Sequence, residues 1–407
     1  MTHKLQSVST PPAKTPAFSR RIYLLSAIFF FIFMGAGAQQ AYLVSYLGDV
    51  TDWSDVACSA VLTVLYFAML AFRIINVYLF AHWSDRRFTI IGSLTYLMFT
   101  IAMFLVPYYP SYPIVLVMAL IWGAGGAMMW TGTAMQTLEL ADKAGSRHGT
   151  GMGILYSSTH GGWLVGAIVL GLIYQALPVE QSNLTYVAAS VFTAIGIVLA
   201  FLMPATGQAL RETPSPAALL EMTLRARAAI SGILQLAAAL AYGFVLGMMG
   251  KYVKETFGAE WIWISIALYP ATRTVLSVLG GHVVDRVGHT PVLMGSFLIG
   301  AAGLLVAVLW HSAYAVMIAG FTLGLLGSMV PVVASAIVGN AANINRRPLA
   351  YGVMFAWRDL GIAVAAVGSN ILGLSFDGPT VFSIFAYIFV GCAILSIYLG
   401  KFADQEL

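Results

Sequence analysis

Long apolar stretches separated by short polar segments make up most of the 407-residue chain. A helix needs about 20 apolar residues to cross the hydrocarbon core of a bilayer. The stretch 187–203 is almost continuously apolar, whereas a transmembrane β-barrel strand would alternate apolar and polar positions. The pattern therefore predicts an all-α membrane protein with twelve transmembrane helices, at roughly 22–46, 57–80, 89–108, 113–137, 149–175, 184–203, 228–250, 259–281, 290–310, 313–338, 349–374 and 380–400.

The polar segments between these helices carry charge unevenly. Fifteen of the twenty Lys and Arg residues lie before the first helix, after the last helix or in the connections that follow even-numbered helices. They are Lys4, Lys14, Arg20, Arg21, Arg86, Arg87, Lys143, Arg147, Arg211, Arg225, Arg227, Arg286, Arg346, Arg347 and Lys401. The opposite side carries Lys251 and Lys254, and its first loop has Asp49, Asp52 and Asp55 without a cation. Because cytoplasmic loops are rich in Lys and Arg, both termini are predicted to be cytoplasmic.

The start of the chain differs from a cleaved secretion signal. The polar stretch 1–21 is followed by an apolar run that is too long for the core of such a signal. We therefore expect this run to remain as the first transmembrane helix. The protein is predicted to be a multi-pass protein of the plasma membrane, which in a bacterium is the inner membrane.

Composition supports the membrane prediction and excludes several kinds of function. Apolar side chains make up 60% of the chain and charged ones 9%, and the mean hydropathy is +0.87. The net charge of +4 is explained by loops that face anionic lipid, so no nucleic-acid partner is expected. Cys58 and Cys392 lie in apolar stretches and suit neither a disulfide framework nor a metal site. The chain has no Gly-x4-Gly-Lys-Ser/Thr loop and no His-Glu-x-x-His, so we expect no enzyme, no cofactor and no metal.

Two halves of the chain repeat the same landmarks. The longest inner connection, 204–227, is rich in Pro, Ser and Thr and separates an N-terminal six-helix bundle, 1–203, from a C-terminal one, 228–407. Four landmarks recur 200 residues later, and these are Arg73 and Arg273, Asp85-Arg86 and Asp285-Arg286, Arg147 and Arg347, and Gly161 and Gly361. Such an offset indicates a tandem duplication of a six-helix unit, as in many transporters.

The second copy of the loop landmark carries a family resemblance. The segment 281–288 reads Gly-His-Val-Val-Asp-Arg-Val-Gly, and 81–86 is a degraded first copy. Together with the predicted helices and repeat, this G-x-x-x-D-R-x-G signature resembles the major facilitator superfamily over the whole chain. The resemblance implies two pseudo-symmetric six-helix halves and secondary transport by alternating access. The chain departs from many drug exporters, because helix 4 lacks an Arg and helix 5 has Gly-Gly-Trp at 161–163 in place of Gly-Pro.

The loop landmarks are candidates for a conformational latch. A carboxylate at a helix end can accept hydrogen bonds from the first amides of a neighbouring helix and pair with the following Arg. Asp85 with Arg86, and Asp285 with Arg286, could hold one conformation in this way. The alternative is that these residues are solvated loop charges.

Five ionisable residues fall inside the predicted helices. They are Arg73, Arg273, Arg358, Asp359 and His160. A charge at membrane depth costs about 2.5 to 3.5 kcal/mol even on lenient scales, so each needs a partner, a cavity or a route to the headgroups. At 1.5 Å per residue, Arg73 and Arg273 lie roughly 12 Å from the inner ends of their helices. Asp359 and His160 lie roughly 15 to 17 Å from the inner ends of theirs. All five are therefore predicted to share a layer near the midplane.

The resemblance implies how this layer is paired. In the resembled fold, helices 2 and 11 are neighbours, as are 5 and 8, which puts Arg73 opposite Asp359 and Arg273 opposite His160. Asp359 is the only acid well inside a predicted helix and is the first candidate for proton coupling, with His160 second. Arg358 points elsewhere than its neighbour, because adjacent helical residues are about 100° apart.

Each of these assignments has a structural alternative. Arg73 and Arg273 could extend to the inner headgroups along their long stems. His160 could be an ordinary hydrogen-bonding residue between helices.

The resemblance also implies which residues face the solute. Helices 1, 4, 7 and 10 line the central cavity of that fold, and their polar and aromatic side chains include Gln39, Gln40, Trp122, Trp130, Gln136, Gln235 and Tyr242. Amides and indoles suit a partly apolar solute with hydrogen-bonding groups. The alternative is that these side chains pack or hydrogen-bond between helices.

The function predicted from the sequence is proton-coupled uptake of a small organic solute. Arginines near the site favour an anionic or zwitterionic solute. The alternatives are proton-driven export of amphipathic compounds and a lipid-handling or receptor-like protein that does not pump. The expected partners are the solute, protons and the lipid bilayer, and we expect a monomer.

Overall fold

Helices occupy every apolar stretch that the sequence predicts to cross the membrane. A computed structural model describes residues 18–204, 213–245, 249–258, 261–402, 404 and 406–407, and in these ranges the chain is helical with short connections and no strand. The predicted linker 204–227 falls partly outside the described residues, as do Lys4, Lys14 and Arg211. Within the linker, residues 216–224 form a short helix that the sequence did not predict.

The first set of helices, which we call the N-half, runs from α1 to α7. Its bounds are α1 Arg20–Ile32, α2 Leu43–Val50, α3 Asp55–Leu79, α4 Asp85–Leu105, α5 Tyr112–Lys143, α6 His148–Ala176 and α7 Leu184–Leu202. Helix α8, Pro216–Leu224, lies in the linker.

The second set, which we call the C-half, runs from α9 to α15. Its bounds are α9 Ala226–Phe244, α10 Gly250–Phe257, α11 Ile262–Val287, α12 His289–Leu309, α13 Ala313–Ala341, α14 Arg347–Ser375 and α15 Gly378–Gly400.

Several helix starts are set by short polar side chains. Ser54 Oγ accepts from the amide of Ala57 at 3.3 Å at the start of α3, and Asp377 Oδ1 accepts from the amide of Thr380 at 3.0 Å at the start of α15. Such caps satisfy amides that have no partner in the first helical turn. Hydrogen bonds from Thr380 also hold the pKa of Asp377 below its usual range.

Nine helices of the described residues are long and apolar enough to cross a membrane. Helices α6, α11 and α14 are not among them, and these are the helices that carry His160, Arg273 and the Arg358-Asp359 pair. Apolar side chains such as Leu172 (63% exposed) and Val198 (58% exposed) cover the outside of the bundle. A polypeptide with this surface is a multi-pass integral membrane protein, because only lipid accepts so much exposed apolar area.

The two halves meet mainly along two pairs of helices. Helix α3 packs on α14, and α6 packs on α11. The contact between α6 and α11 is close because it uses small residues, and a Cβ added at Gly153 would lie 2.3 Å from the carbonyl oxygen of Ser277. We call the end of the bundle with the start of α6 and the end of α11 the motif end, since Asp285-Arg286 lies there.

The first predicted transmembrane helix, 22–46, is interrupted halfway along its length. Residues Phe33–Gly37 form a π-helical turn and Ala38–Ala41 a 3₁₀ turn. The amide of Ala36, displaced from the regular ladder, donates to Thr193 Oγ1 of α7 at 2.9 Å. Such interruptions occur frequently at functional sites.

Candidate functional site

A central cavity lies between the two halves and is partly open to solvent. The N-half lines it with Phe33, Gly37, Gln40, Leu65, Tyr66, Met69, Tyr96, Trp122, Trp130, Thr159, His160 and Trp163. The C-half lines it with Gln235, Ala238, Ala239, Tyr242, Tyr269, Arg273, Gly327, Pro331, Arg358 and Ile362.

A buried ion pair joins the halves next to this cavity. Arg73 of α3 donates from Nε to Asp359 Oδ2 of α14, and its Nη2 lies 3.3 Å from Asp359 Oδ1. Both side chains are 0% exposed. The guanidinium also lies 5.5 Å from the ring centres of Tyr351 and Phe355. Arg73 therefore faces the opposite half, as the resemblance implied, and does not extend to the headgroups.

The pair lies just behind the cavity wall. Neither Arg73 nor Asp359 lines the cavity, but Met69 does, and its sulfur is 3.8 Å from Arg73 Nη2. Arg358, one residue before the acid, also lines the cavity. A change of charge at Asp359 would thus act on the cavity at short range.

Arg358 points away from its acidic neighbour, as helical geometry requires. Its guanidinium lies 5.5 Å from the ring centre of Trp130 in the N-half and 6.0 Å from that of Phe355. Its Nη1 is buried and has no hydrogen-bond partner among the described residues. This arginine is therefore held by aromatic faces on the cavity side and retains an unused donor.

Arg273 and His160 both reach the cavity but are not hydrogen-bonded to each other in the described part of the chain. Arg273 Nη1 donates to Tyr269 Oη at 3.4 Å, and the guanidinium lies 5.2 Å from that ring. His160 stacks on Tyr156 with ring centres 6.2 Å apart. Both residues line the cavity, on helices that pack against each other, but Arg273 Nε and His160 Nε2 each lack a partner within the described residues.

Five of the residues predicted to face the solute line the cavity, and these are Gln40, Trp122, Trp130, Gln235 and Tyr242. The other two do not. Gln136 points toward α4, where its amide donates to Thr89 Oγ1 at 2.8 Å. Gln39 is buried away from the cavity lining, with an amide that has no partner among the described residues. For Gln136 the alternative, a hydrogen bond between helices, is the correct one.

Five aromatic residues of the lining were not predicted, namely Phe33, Tyr96, Tyr66, Trp163 and Tyr269. The last three lie on helices that also carry an ionisable residue of the central layer. Each of these three lies one or two turns from that ionisable residue, seven before Arg73, three after His160 and four before Arg273. Residues at such spacings share a helix face. The same spacing rule, applied to α3, α6 and α11, would have found them.

Asp285 joins the halves at the motif end. Although the residue is exposed, its carboxylate accepts from the amides of Gly149 at 2.8 Å and Thr150 at 2.7 Å, and from Thr150 Oγ1 at 2.6 Å. These are the first amides of α6, where the helix dipole favours an anion. The geometry expected for a latch is present at Asp285, while Arg286 is exposed.

The first copy of the motif has different surroundings. Asp85 is buried at the start of α4, and its carbonyl oxygen accepts from Gln136 Nε2 at 3.3 Å. Arg86 Nη2 donates to the carbonyl oxygen of Phe201 at 2.7 Å within the N-half. Arg86 therefore fastens α4 to α7.

A second polar cluster, which we call the Asp142 cluster, also crosses between the halves at the motif end. Asp142 of α5 pairs with Arg347 of α14 (Oδ2 to Nη1, 2.6 Å) and with His148 of α6 (Oδ1 to Nε2, 2.6 Å). The other nitrogen of His148 lies 2.5 Å from Asn340 Oδ1 of α13. Arg347 was predicted as a loop cation and as a landmark of the internal repeat, and this cluster was not predicted.

The Major Facilitator Superfamily model matches the chain over residues 22–269 and 231–404. Solved structures with the same fold include the E. coli fucose:proton symporter FucP, 17% identical with a TM-score of 0.75, matched over 93% of this chain and 98% of that one. FucP in its outward conformation gives a TM-score of 0.74 at 15% identity, over 93% and 98%. The human organic anion transporter MFSD10 gives 0.70 at 15% identity, over 95% of this chain and 100% of that one.

Curated relatives match a smaller part of the chain. The multidrug resistance protein MdtH of Salmonella arizonae is 24% identical over 143 residues, and MdtH of Salmonella typhimurium gives the same values. The match spans 35% of this chain and 35% of the length of those proteins.

Proposed function

Because the chain belongs to the major facilitator superfamily, a family of transporters, we propose that it carries a small anionic or zwitterionic organic solute together with protons, by alternating access. The observation that carries this proposal is the buried Arg73–Asp359 pair, which links α3 to α14 beside a cavity with two further arginines. The solute would bind between the halves, as in other transporters built from internal repeats.

In this proposal the ion pair supplies the coupling step. A proton on Asp359 would remove the negative charge that holds Arg73, and the contact between α3 and α14 would lose its main polar link. The halves could then separate at this pair of helices and rock about the cavity. His160, with an unpartnered ring nitrogen on the cavity side in the described structure, is the second candidate for a proton.

The motif end would be the cytoplasmic gate. Loop cations favour a cytoplasmic location for this end and for both termini. Asp285 and the Asp142 cluster join the halves there, which would keep the cytoplasmic side closed while the cavity faces outward. In this proposal the chain has twelve transmembrane helices in bundles 1–203 and 228–407, joined by 204–227, and works as a monomer in a plasma or inner membrane.

Reconstitution tests this function directly. Purified protein in liposomes with a trapped pH-sensitive dye is exposed to solutes that raise its melting temperature, and a coupled solute should acidify the lumen. Asp359→Asn should abolish uptake driven by a proton gradient but keep counterflow exchange of the solute. Asp377→Asn, which changes an exposed acid to another good helix cap, is the matched control and should transport normally. Gradient-driven uptake at the wild-type rate by Asp359→Asn would remove Asp359 from the mechanism.

Proton-driven export of amphipathic compounds is a second candidate, favoured by the partial match to MdtH. Export by exchange requires that solute and protons move in opposite directions. Liposomes in which the protein is inserted in one known orientation would distinguish the two candidates. If added solute made the lumen more alkaline and not more acidic, exchange of solute against protons would be favoured.

A further inference from the structure

The two walls of the central cavity differ in chemistry. The N-half supplies most of the aromatic rings, among them Tyr66, Trp130 and Trp163. The C-half supplies both guanidinium groups, Arg273 and Arg358. A solute that spans the cavity therefore meets rings on one side and cations on the other.

The arginines of this layer outnumber its acids. Asp359 is the only acid well inside the predicted transmembrane helices, and its carboxylate is occupied by Arg73. Arg273 Nε and Arg358 Nη1 are buried without a hydrogen-bond partner among the described residues. Buried charges are unfavourable until they are paired, so the cavity is prepared for a ligand that brings negative charge.

The internal repeat explains why no acid is paired with Arg273 among the described residues. At the offset that relates Arg73 to Arg273, the position equivalent to Asp359 is Thr159. Thr159 lines the cavity, and its hydroxyl donates to the carbonyl oxygen of Leu155 at 2.9 Å. One copy of the pair thus has a carboxylate, and the other has a neutral residue beside an open space.

We propose that the site takes an aromatic acid, with the ring against the N-half wall and the carboxylate at Arg273 and Arg358. A guanidinium matches the planar geometry of a carboxylate, and aromatic side chains favour stacked or edge contacts with a ring. The amide of Gln235, which has no partner among the described residues, is available to a further polar group on the solute. This assignment rests on the proposed transport function for its biological meaning but is tested by binding alone.

The binding test compares probes that differ in one property. Phenylacetate has both an aromatic ring and a negative charge. Cyclohexylacetate keeps the charge but has no aromatic ring, and phenylacetamide keeps the ring but has no charge. Phenylacetate should raise the melting temperature of the purified full-length protein and quench its tryptophan fluorescence. The affinity for cyclohexylacetate should be lower than that for phenylacetate by about threefold or more, and the affinity for phenylacetamide should be lower by about tenfold or more. Equal binding of all three, or stabilisation by L-fucose in place of phenylacetate, would overturn the proposal.

Variants locate the carboxylate. Arg273→Gln and Arg358→Gln should each weaken phenylacetate binding about tenfold or more, whereas Arg87→Gln, at an exposed position, should not change it. Thr159→Asp should supply Arg273 with the acid that Arg73 has and weaken binding similarly, whereas Thr159→Asn should have a much smaller effect. If Thr159→Asp fails to fold, the two glutamine variants decide. Unchanged binding in both of them would refute the assignment.

A second set of variants locates the ring. Tyr66→Leu should reduce the preference for phenylacetate over cyclohexylacetate, whereas Tyr66→Phe should retain it, because the ring contact and not the hydroxyl gives the preference. Trp310→Leu, which removes an aromatic side chain that is 61% exposed on the outside of the bundle, is the control. A preference that survives in Tyr66→Leu and in Trp163→Leu would place the ring elsewhere and contradict the proposed orientation.

Failure of this inference can be told apart from failure of the proposed function. Proton-coupled uptake of another solute, without binding of phenylacetate, would refute the substrate class and leave the transport function intact. Binding with the predicted variant pattern, but with no proton movement for any bound aromatic acid, would refute proton-coupled transport and leave the binding site intact.

Discussion

The burial of the Arg73–Asp359 pair predicts how much free energy of unfolding is lost when the pair is broken. Both side chains are fully buried, so solvent does not screen the interaction. Arg73→Met removes both of its donors to the carboxylate and leaves Asp359 buried without its cation. Breaking a buried pair in this way costs about 3 to 5 kcal/mol, unless the acid takes up a proton. We expect the loss to be at the upper end at high pH and smaller at low pH.

The double variant separates the pair from its surroundings. In Arg73→Met with Asp359→Leu, two apolar side chains of similar size replace the pair, and such replacements are often neutral or stabilising by about 1 to 4 kcal/mol. The double variant should therefore be more stable than either single variant. A double-mutant cycle should give a coupling free energy of about 2 kcal/mol or more, since the residues are in direct contact.

The assay is thermal unfolding of the purified variants in one detergent at two pH values, together with proton-driven uptake in liposomes. Expected results are a low melting temperature for both single variants, recovery in the double variant and no coupled uptake in any of the three. If Arg73→Met melts like the wild type and the double variant shows only the sum of the single effects, the pair does not hold α3 to α14. The coupling step would then have to be abandoned.

Three further predictions concern the motif end. Gly153→Val should force α6 away from α11, since even a Cβ there would lie 2.3 Å from a carbonyl oxygen, and should speed hydrogen exchange at the start of α6. Asp285→Asn should weaken the three hydrogen bonds to α6 and speed the same exchange without a loss of expression, whereas unchanged exchange would argue against a latch. Arg347→Gln should open the motif end more than His148→Gln does, because Arg347 makes two hydrogen bonds to Asp142 and His148 makes one; equal exchange rates would contradict this order.

The sequence predicted the helices and the central ion pair well, for physical reasons. Every apolar stretch that is long enough to span a bilayer contains helix, because in lipid a helix satisfies its own backbone. The Arg73–Asp359 contact was predictable because a single acid lay at the depth of the buried arginines, and the fold resemblance supplied the neighbouring helices. Few alternatives remain where charged residues are so rare.

Other features depend on rotations of helices that the sequence does not reveal. Gln136 and Gln39 lie on helices that are apolar on several sides, so no polar stripe showed which face meets the cavity, and neither reaches it. The Asp142 cluster combines residues from four helices at their ends, where polar side chains are also expected to meet water. The π-helical turn at Phe33–Gly37 likewise has no local sequence signal beyond its glycines.

The arrangement of charges also determines which direction of coupling is favoured. With Asp359 ionised, the layer carries Arg73, Arg273 and Arg358 against one acid, and protonation of Asp359 adds one further positive charge. At a separation of about 10 Å and an effective dielectric constant near 20, that added charge favours a bound anion by about 1.7 kcal/mol, or more than tenfold in affinity.

By linkage, the anion favours protonation by the same factor, which is the sign needed for symport and the wrong sign for exchange of an anion against protons. We therefore predict that an anion that binds the cavity, with phenylacetate as the first probe, binds more tightly as the pH is lowered, whereas Asp359→Asn binds it tightly at every pH because the amide imitates the protonated acid. Titrations of tryptophan fluorescence at a series of pH values measure both. Affinity that falls with acidity in the wild type, or that keeps its pH dependence in Asp359→Asn, would show that the carboxylate at 359 is not what couples the proton to the solute.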